Sequence, residues 1–161
     1  MNVEIRLADY HVAKDGEDLV NLLNGYALDP MGGAEALNEY SRTNLVNALS
    51  KIPHAFTVLA YVDDKPAGLV NCFEGFSTFA CKPVINIHDV TVSDDFRGLG
   101  LSQKMLDKVE EVAKSRGACK LTLEVLEGNT VARNSYLKYG FKGYELDPEM
   151  GKAEFWEKKL S

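Results

Sequence analysis

The sequence predicts an α/β protein with a mixed, mostly antiparallel twisted sheet, one parallel crossover and helices on both faces. Two apolar segments on either side of the turn-forming residues 63–66 predict an antiparallel hairpin. Further on, a single helix joins β-branched segments at 84–92 and 121–125, and strands joined in this way are parallel. The strict alternation of strand and helix that is typical of a doubly wound sheet is absent. The expected order is β-α-α-β-β-β-α-β-α-β-β, within one domain over residues 1–161.

The first half of the chain predicts a strand, two helices and the hairpin. Alternating apolar and polar residues over 3–7 indicate a half-buried strand. A helical stripe over 18–23 is expected to end near Gly25, and residues 26–33 form a loop because they contain Pro and Gly. The remaining elements are a helix over 35–49 and strands over 55–62 and 67–73, the second of which continues through 74–79.

A long helix dominates the second half of the chain. Its apolar residues recur at helical spacing from Leu101 to Val112, and Gly117 marks its end. Residues 129–139 predict a short helix that stops at Gly140. The last two elements are expected to be strands over 141–144 and 153–160.

Composition and charge exclude several classes of protein. The chain has 18 Lys and Arg against 24 Asp and Glu, and this net charge of −6 argues against a nucleic-acid or anionic membrane surface and mildly favours cationic small molecules. The three cysteines show no metal-ligand spacing and are typical of reduced thiols, so a cytoplasmic protein is expected and no metal site is predicted. The first residues lack the pattern of a signal peptide, and no window is long and apolar enough to span a bilayer.

A glycine-containing loop, Arg97-Gly-Leu-Gly-Leu-Ser102, joins a buried strand to the long helix. The first amide groups of a helix lack intrahelical partners and carry partial positive charge, and glycines let a ligand approach the backbone. The first helical turn contains Lys104 and no acid, a pattern that favours a phosphate site. The alternative that the residues leave open is a helix whose first amides are satisfied by Asp94 or Asp95.

The spacing of this loop excludes two common phosphate motifs. A P-loop is absent, and Gln103 stands where the dinucleotide fingerprint needs its third glycine. Arg97-x-x-Gly100-x-Ser102 resembles instead the Arg/Gln-x-x-Gly-x-Gly/Ala signature of the GNAT superfamily, the CoA-dependent N-acyltransferases, with Ser102 replacing the usual Gly or Ala. The resemblance implies that the loop holds the pyrophosphate of acetyl-CoA. The cofactor-binding residues in this part of the chain would be Val90, Thr91, Val92, Arg97, Gly98, Leu99, Gly100, Leu101 and Ser102.

Residues 129–141 resemble the second GNAT signature, Asn-x-x-Ala-x-x-x-Tyr followed by Gly-Phe. Two signatures in the expected order are much more specific than either alone, and the predicted element order is that of the GNAT fold. Asn129, Ala132 and Tyr136 recur at helical spacing and share a face. The resemblance implies that this face binds the cofactor, while Asn129 also caps its own helix. Asn134 points elsewhere on the helix and reaches either the cofactor or only water.

Acyl transfer from a thioester to an amine needs a base for the amine, a donor for the developing oxyanion and an acid for the departing thiolate. By resemblance, a backbone N–H within 89–92 holds the thioester carbonyl, and pantetheine pairs with the same strand. Tyr136 is expected to protonate the thiolate, because the pKa values of phenol and thiol are comparable, about 10 and 8.5. Its structural alternative is a buried aromatic residue with a satisfied hydroxyl group.

The general base is expected on the strand that leads into the loop. A two-residue period places Asn86, His88, Val90 and Val92 on one face of that strand and Asp89 on the other. His88 is the candidate base, acting through a water molecule, because imidazole exchanges protons near neutral pH. The alternative is a structural histidine. Asp89 is expected either to orient a neighbour or to pack elsewhere.

The acceptor pocket is expected to form from the loop 26–33, the strand end 74–79 and the face of His88. Acidic groups in this pocket would suit a cationic amine, and the segment around 88–100 also looks somewhat like diamine acetyltransferases. The candidate substrate-binding residues are Asp29, Glu74, Phe76 and Asp89.

The expected function is therefore transfer of the acetyl group of acetyl-CoA to a primary amine of a small molecule, with a cationic one favoured. Two alternatives stay open: a non-catalytic module that senses acyl-CoA, which would not use Tyr136, and an acetyltransferase that acts on a protein amine. Members of the superfamily are often dimers, and Phe155 and Trp156 on the expected last strand allow a homodimer.

Overall fold

Five strands form one sheet in the computed structural model, which describes residues 1–143, 148–151 and 153–160. The strands are β1 (Val3–Leu7), β2 (Ala55–Val62), β3 (Lys65–Ser77), β4 (Lys82–Val92) and β5 (Leu121–Leu123), and they lie in the order β1-β2-β3-β4-β5. The first three pairings are antiparallel, and β4 pairs with β5 in parallel. The predicted mixed sheet with one parallel crossover is confirmed.

The helices in the described residues are α1 (Ala13–Leu28), α2 (Glu39–Ser50), α3 (Leu101–Ser115) and α4 (Thr130–Tyr139). None of them is long and apolar enough to cross a membrane. The chain forms two compact units, Met1–Leu126 and Glu127–Ser161. The first contains the whole sheet with α1, α2 and α3, and the second contains α4 and a short 3-10 helix. The expectation of one domain over residues 1–161 stays a prediction.

In the first unit, α1 and α2 cover one face of the sheet and α3 covers the other. Leu19 of α1 and Leu49 of α2 pack in one apolar cluster with Leu69 of β3. On the opposite face, Met105 of α3 approaches Gly68 so closely that a Cβ atom there would lie 2.9 Å from the methionine methyl group. The centre of the sheet in the first unit is therefore covered on both faces.

Helix α1 is longer than the sequence predicts. Gly25 lies inside it, because the apolar stripe continues to Ala27, which is 8% exposed, and burial there outweighs the roughly 1 kcal/mol that glycine costs in a helix. The helix ends one residue before Asp29, whose ψ of 144° is extended. The residue before a proline disfavours helical backbone, so Pro30 and not Gly25 ends α1.

Two other boundaries differ from the prediction. The hairpin turn consists of Asp63 and Asp64 alone, with φ values of 49° and 65°, so Pro66 belongs to β3. Two successive positive φ values are typical of the two-residue hairpin turn whose twist matches the strands. Helix α2 begins at Glu39, because the Asn38 side chain accepts a hydrogen bond from the amide of Ser41 at 2.8 Å and caps it.

The two predicted C-terminal strands are wrong for the residues that the structure describes. Residues 141–143 and 153–160 have no regular structure, and residues 144–147 lie outside the described residues. All residues of 153–160 are exposed, including Phe155 and Trp156 at 73% and 82%. A strand needs a hydrogen-bonded neighbour or a buried face, and the described residues supply neither to this segment.

Candidate active site

The glycine loop between β4 and α3 adopts the backbone that its sequence requires. Gly98 and Gly100 have φ values of 81° and 73°, in the left-handed region that favours glycine. Gly100 is the N-cap of α3 and supplies no side chain to cap the helix, and the first turn contains no acidic residue. The space where a Cβ atom would stand is open at both glycines. The loop therefore presents bare backbone at the start of a helix.

The amide groups of this loop are available to a ligand. Within the described part of the chain, the N–H groups of residues 98–101 donate to no protein acceptor. Asp94 pairs with Arg97 at 3.0 Å, and neither Asp94 nor Asp95 caps α3 among those residues. The alternative in which these carboxylates satisfy the helix is therefore wrong for the described residues. Successive amides at a helix start, with a basic residue beside them, fit a diphosphate group.

Arg97 connects the glycine loop to two neighbouring segments. Its guanidinium lies 3.0 Å from Asp94 and 3.9 Å from Asp29, and its Nε donates to the carbonyl oxygen of Val92 at 3.4 Å. The side chain is 59% exposed, so these ion pairs are weak and a polyanion can compete for the guanidinium. Leu99 and Leu101, in contrast, direct their side chains toward an apolar cluster and can offer only backbone to a ligand.

Within the described residues, the end of strand β4 next to the loop is paired on one side only. The pairing with β5 ends where Ile87 meets Leu123, while β4 continues to Val92. Residues 88–92, which include the predicted cofactor contacts Val90 and Thr91, have no strand beside them on that side within the described residues. An extended ligand with amide groups can bind such an edge as an added strand.

A β-bulge at His88 changes the predicted orientation of β4. Asn71 is paired with Asp89 and the next residue of β3, Cys72, with Ile87, so His88 is the extra residue. Asn86 pairs with Phe73 and Asp89 with Asn71, two positions of β3 that share a face. Asn86 and Asp89 therefore share that face as well, and the prediction that they lie on opposite faces is wrong. A bulge of this kind shifts the two-residue period by one residue, which the sequence alone did not show.

The bulge brings the two candidate polar groups together. His88 Nδ1 lies 3.3 Å from Asp89 Oδ2, and the His88 ring packs edge-on against Phe73 with centroids 5.7 Å apart. The His88 side chain is 64% exposed and that of Asp89 only 19%. The exposed imidazole is thus oriented by a carboxylate that is mostly buried.

The loop after α1 is organised by Asp29. Its backbone carbonyl accepts hydrogen bonds from the amides of Gly32 and Ala34 at 2.8 and 3.0 Å, and its Oδ1 accepts one from Met31 at 2.9 Å. Its other carboxylate oxygen is the one near Arg97. Asp29 thus stabilises the conformation of the loop, while its Oδ2 atom faces Arg97 of the glycine loop.

Tyr26, in the last turn of α1, is affected by two acidic residues that are predicted to bind the acceptor, Asp29 and Asp89. Burial raises the pKa of its phenol, and the negative charges of Asp89 and Asp29 raise it further. A carboxylate affects the pKa of a phenol in this way only when the two groups are close. Asp29 and Asp89 therefore both lie close enough to Tyr26 for their charges to affect its phenol, and these two carboxylates are called the acidic patch below.

Glu74 and Phe76 differ from the other predicted acceptor residues. Glu74 accepts a hydrogen bond from Arg116 at 3.1 Å, and the Arg116 guanidinium also lies 4.8 Å above the ring of Phe56. The charge of Glu74 is thus compensated within the protein. Phe76 is 60% exposed near the end of β3. A role for either residue in acceptor binding stays a prediction.

In the second unit, α4 carries the other predicted cofactor residues. Asn129 caps it by accepting a hydrogen bond from the amide of Ala132 at 3.3 Å. Asn129, Ala132 and Tyr136 are half-buried, as expected for residues on one face, while Asn134 is exposed. The Tyr136 ring packs edge-on against Phe141 with centroids 6.0 Å apart. The roles of these four residues toward a cofactor stay predictions.

Three polar residues that support Asp89 are not among the site residues predicted from the sequence. Asn71 of β3, Thr57 of β2 and Tyr10 form a hydrogen-bonded line that ends on its carboxylate. A signal exists in the sequence, because Thr57 and Asn71 are polar residues within the apolar segments 55–62 and 67–73. Among the described residues, no group of three His, Cys, Asp or Glu side chains is placed to hold a metal ion.

Comparison with known proteins is consistent with this geometry. A model of the acetyltransferase (GNAT) family matches residues 17–141. An uncharacterized N-acetyltransferase of Methanocaldococcus jannaschii is 35% identical over 86 residues, which cover 53% of this chain and 38% of that protein. Thialysine N-epsilon-acetyltransferase of Caenorhabditis elegans is 26% identical over 107 residues, which cover 66% of this chain and 61% of that protein. The match therefore spans less than two thirds of the length of either relative.

Solved structures share the fold over nearly the whole chain. An aminoglycoside acetyltransferase from an uncultured soil metagenomic sample superposes with a TM-score of 0.76 at 14% identity, over 98% of this chain and 97% of that chain. At this identity the likeness shows the fold alone.

Proposed function

The chain belongs to the acetyltransferase (GNAT) family, and from this premise we propose that it transfers an acetyl group from acetyl-CoA directly to a primary amine of a small cationic molecule. Members of the family are N-acetyltransferases that use acetyl-CoA. The observation that carries the proposal is the set of amides at 98–101, which donate to no acceptor in the described part of the chain. Their position at the start of α3, with no acid in its first turn, suits a diphosphate.

The donor side of the proposed site consists mainly of backbone. The amides of residues 98–101 and the Arg97 guanidinium would hold the diphosphate, with Ser102 as a further contact. The backbone of Val90, Thr91 and Val92 would bind the pantetheine arm along the open edge of β4. Acetyl-CoA supplies a thioester carbonyl that an amine can attack. Asn129, Ala132 and Asn134 are proposed as further cofactor contacts on the strength of the second signature.

His88 and Tyr136 are proposed to move the two protons of the reaction. His88 has an Nε2 atom with no hydrogen-bond partner in the described residues, and this atom would take a proton from the amine, directly or through water. The Tyr136 hydroxyl would give a proton to the departing sulfur. A backbone N–H of residues 89–92 would stabilise the developing oxyanion.

The acidic patch supports a cationic acceptor. Asp29 and Asp89 both lie near Tyr26, and a positively charged amine would be attracted to them before it loses its proton at His88. The names of two similar proteins give thialysine and aminoglycosides as acceptors, and both classes carry amino groups. Phe76 and Glu74 are proposed at the margin of this pocket.

The test is acetyl transfer to a panel of amines that contains polyamines, basic amino acids, aminoglycosides and neutral amines. Release of CoA and formation of acetylated amine, both measured by chromatography and mass spectrometry, should require acetyl-CoA and a cationic amine together. Tyr136→Phe should lower kcat at least about a hundredfold with little change in CoA binding, and Tyr139→Phe on the same helix is the matched control. CoA binding without acetylation of any amine would favour a sensing module, and acetylation of peptides alone would favour a protein acceptor.

Two further expectations stay predictions: a homodimer and a cytoplasmic location. The exposed residues Phe155 and Trp156 are compatible with a dimer. Light scattering after size-exclusion chromatography measures the oligomeric state, and fractionation of cells measures the location.

A further inference from the structure

Four polar side chains form a hydrogen-bonded line across the sheet, on the face that α1 and α2 cover. The Tyr10 hydroxyl lies 2.8 Å from Thr57 Oγ1, Thr57 Oγ1 lies 2.7 Å from Asn71 Oδ1, and Asn71 Nδ2 lies 3.0 Å from Asp89 Oδ2. Thr57 and Asn71 are 1% and 4% exposed, so both are cut off from water. Thr57 is paired with Asn71 and Asn71 with Asp89, and the line therefore crosses three neighbouring strands.

The donors and acceptors of this line can be ordered in only one way. An ionised carboxylate only accepts hydrogen bonds, so Asn71 must direct its amide nitrogen to Asp89 and its amide oxygen to Thr57. The one hydroxyl proton of Thr57 then goes to Asn71, and Tyr10 must donate to Thr57. Every donor in the line is directed toward Asp89. The line therefore fixes the position of that carboxylate and stabilises its ionised form.

The line determines which nitrogen of His88 carries the proton. Asp89 Oδ2, which accepts from Asn71, is also 3.3 Å from His88 Nδ1. Because a carboxylate offers no proton, Nδ1 must carry one, and the neutral ring then has its lone pair on Nε2. A base at this site needs that lone pair on the outward nitrogen, since Nδ1 is turned to Asp89.

We propose that Asn71, held in place by Thr57 and Tyr10, is a positioning residue that acts through Asp89 to keep His88 in the Nδ1–H tautomer, with Nε2 ready to accept a proton. The proposal deepens the proposed function and rests on it for its role in acetyl transfer. The part of the proposal that concerns the tautomer of His88 can be measured without enzymatic turnover.

The bulge at His88 places the His88 side chain next to Asp89. A regular β4 would place neighbouring side chains on opposite faces, and His88 and Asp89 would not meet. The extra residue brings them together at the end of the line, beside the open edge of β4. A line that served only to align the strands would not need to end on a carboxylate that contacts an exposed histidine.

The experiment is a long-range 1H–15N correlation of the imidazole rings in the ligand-free, 15N-labelled full chain. The chain has three histidines, and His88→Asn identifies the signals of His88. At a pH of about 9, well above the ordinary imidazole pKa of about 6.5, the neutral tautomers are observed. The wild type should show Nδ1–H as the main form of His88.

Two substitutions should weaken that preference. Asn71→Leu removes the donor to Asp89, and Thr57→Val removes the support of Asn71 with almost no change of shape. The ratio of Nδ1–H to Nε2–H at His88 should fall about tenfold in Asn71→Leu and less in Thr57→Val. Thr122→Val is the matched control, since it removes a similar bond, Asn86 to Thr122 at 3.0 Å, that does not reach Asp89.

The outcomes separate this inference from the proposed function. A wild-type His88 in the Nε2–H form, or a ratio that Thr57→Val and a folded Asn71→Leu leave unchanged, would overturn the positioning role even if amines are acetylated. If the ratio responds and an amine is acetylated, Asn71→Leu should also lower kcat about tenfold while the KM for acetyl-CoA stays within about twofold. If the ratio responds but no amine is acetylated, the positioning holds and the proposed function fails.

Discussion

The Arg97 guanidinium lies 3.9 Å from the carboxylate of Asp29, so the side chain that is expected to bind a diphosphate also faces the loop expected to bind the amine. Asp94 is closer to Arg97, at 3.0 Å, but is 84% exposed. Both pairs are open to solvent and should contribute little stability. The basic group of the loop is therefore held by interactions that a phosphate can displace.

Arg97→Gln should weaken CoA binding with little effect on folding. Loss of a charge-assisted bond to phosphate raises Kd about tenfold or more, and the melting temperature should hardly change because the side chain is exposed. Titration calorimetry with CoA measures the affinity. Asp94→Asn is the matched control: it leaves Arg97 in place, removes its nearer carboxylate, and should leave affinity unchanged or improve it. Equal loss of affinity in both variants would mean that Arg97 acts only through the shape of the loop.

Gly100→Ala should harm both the fold and the CoA site. A Cβ atom at a φ of 73° costs roughly 1 kcal/mol or more of unfolding free energy, and relief of that strain would turn the first amides of α3. Gly25→Ala is the contrasting variant, because Gly25 lies inside α1 with open space at its Cβ position and should gain up to about 1 kcal/mol. Urea denaturation measures the free energy of unfolding of both variants. A Gly100→Ala variant more stable than wild type would contradict the positive φ at this residue.

The pair between Arg6 and Asp15 should make stability depend on acid pH. Two hydrogen bonds of 2.8 Å from Arg6 hold the pKa of Asp15, which is 4% exposed, below its ordinary value. Since the folded pKa is the lower one, the stabilisation is complete above the unfolded value of about 3.9 and is lost as pH falls through the folded pKa.

Asp15→Asn should therefore destabilise the protein by about 2 kcal/mol or more at pH 7, and the difference from wild type should shrink toward pH 3. Asp64→Asn, at an exposed turn position that tolerates Asn, should change stability little at either pH. A constant difference between wild type and Asp15→Asn from pH 7 to pH 3 would show that the carboxylate charge is not involved.

The three thiols should differ sharply in reactivity. Burial raises the pKa of the Cys72 thiol, with a further contribution from the charge of Asp89, while Cys81 and Cys119 are exposed. A thiol reagent at neutral pH should modify Cys81 and Cys119 in the native protein and Cys72 only after denaturation. Mass spectrometry of the labelled protein reports this order, and fast native labelling of Cys72 would contradict its burial in β3.

Local patterns predicted most of the first unit, but long-range effects decided the details of the site. The strands of the sheet, the glycine loop and α3 follow from apolar periodicity and from Gly98 and Gly100, whose backbone only glycine adopts easily. The prediction that α1 ends near Gly25 is wrong because burial of Ala27 overrides local propensity. The contact of His88 with Asp89 depends on a bulge, which is a property of two paired strands and leaves no local signature.

The most direct measurement of the central claim is a titration of the 15N-labelled chain with CoA, followed through its backbone amide signals. If the start of α3 holds the diphosphate, the amides of Gly98, Leu99, Gly100 and Leu101 should show some of the largest shifts, while the amide of Gly25 stays in place. If CoA binds and those four amides do not move, or if CoA does not bind at all, the donor site assigned to this loop is wrong.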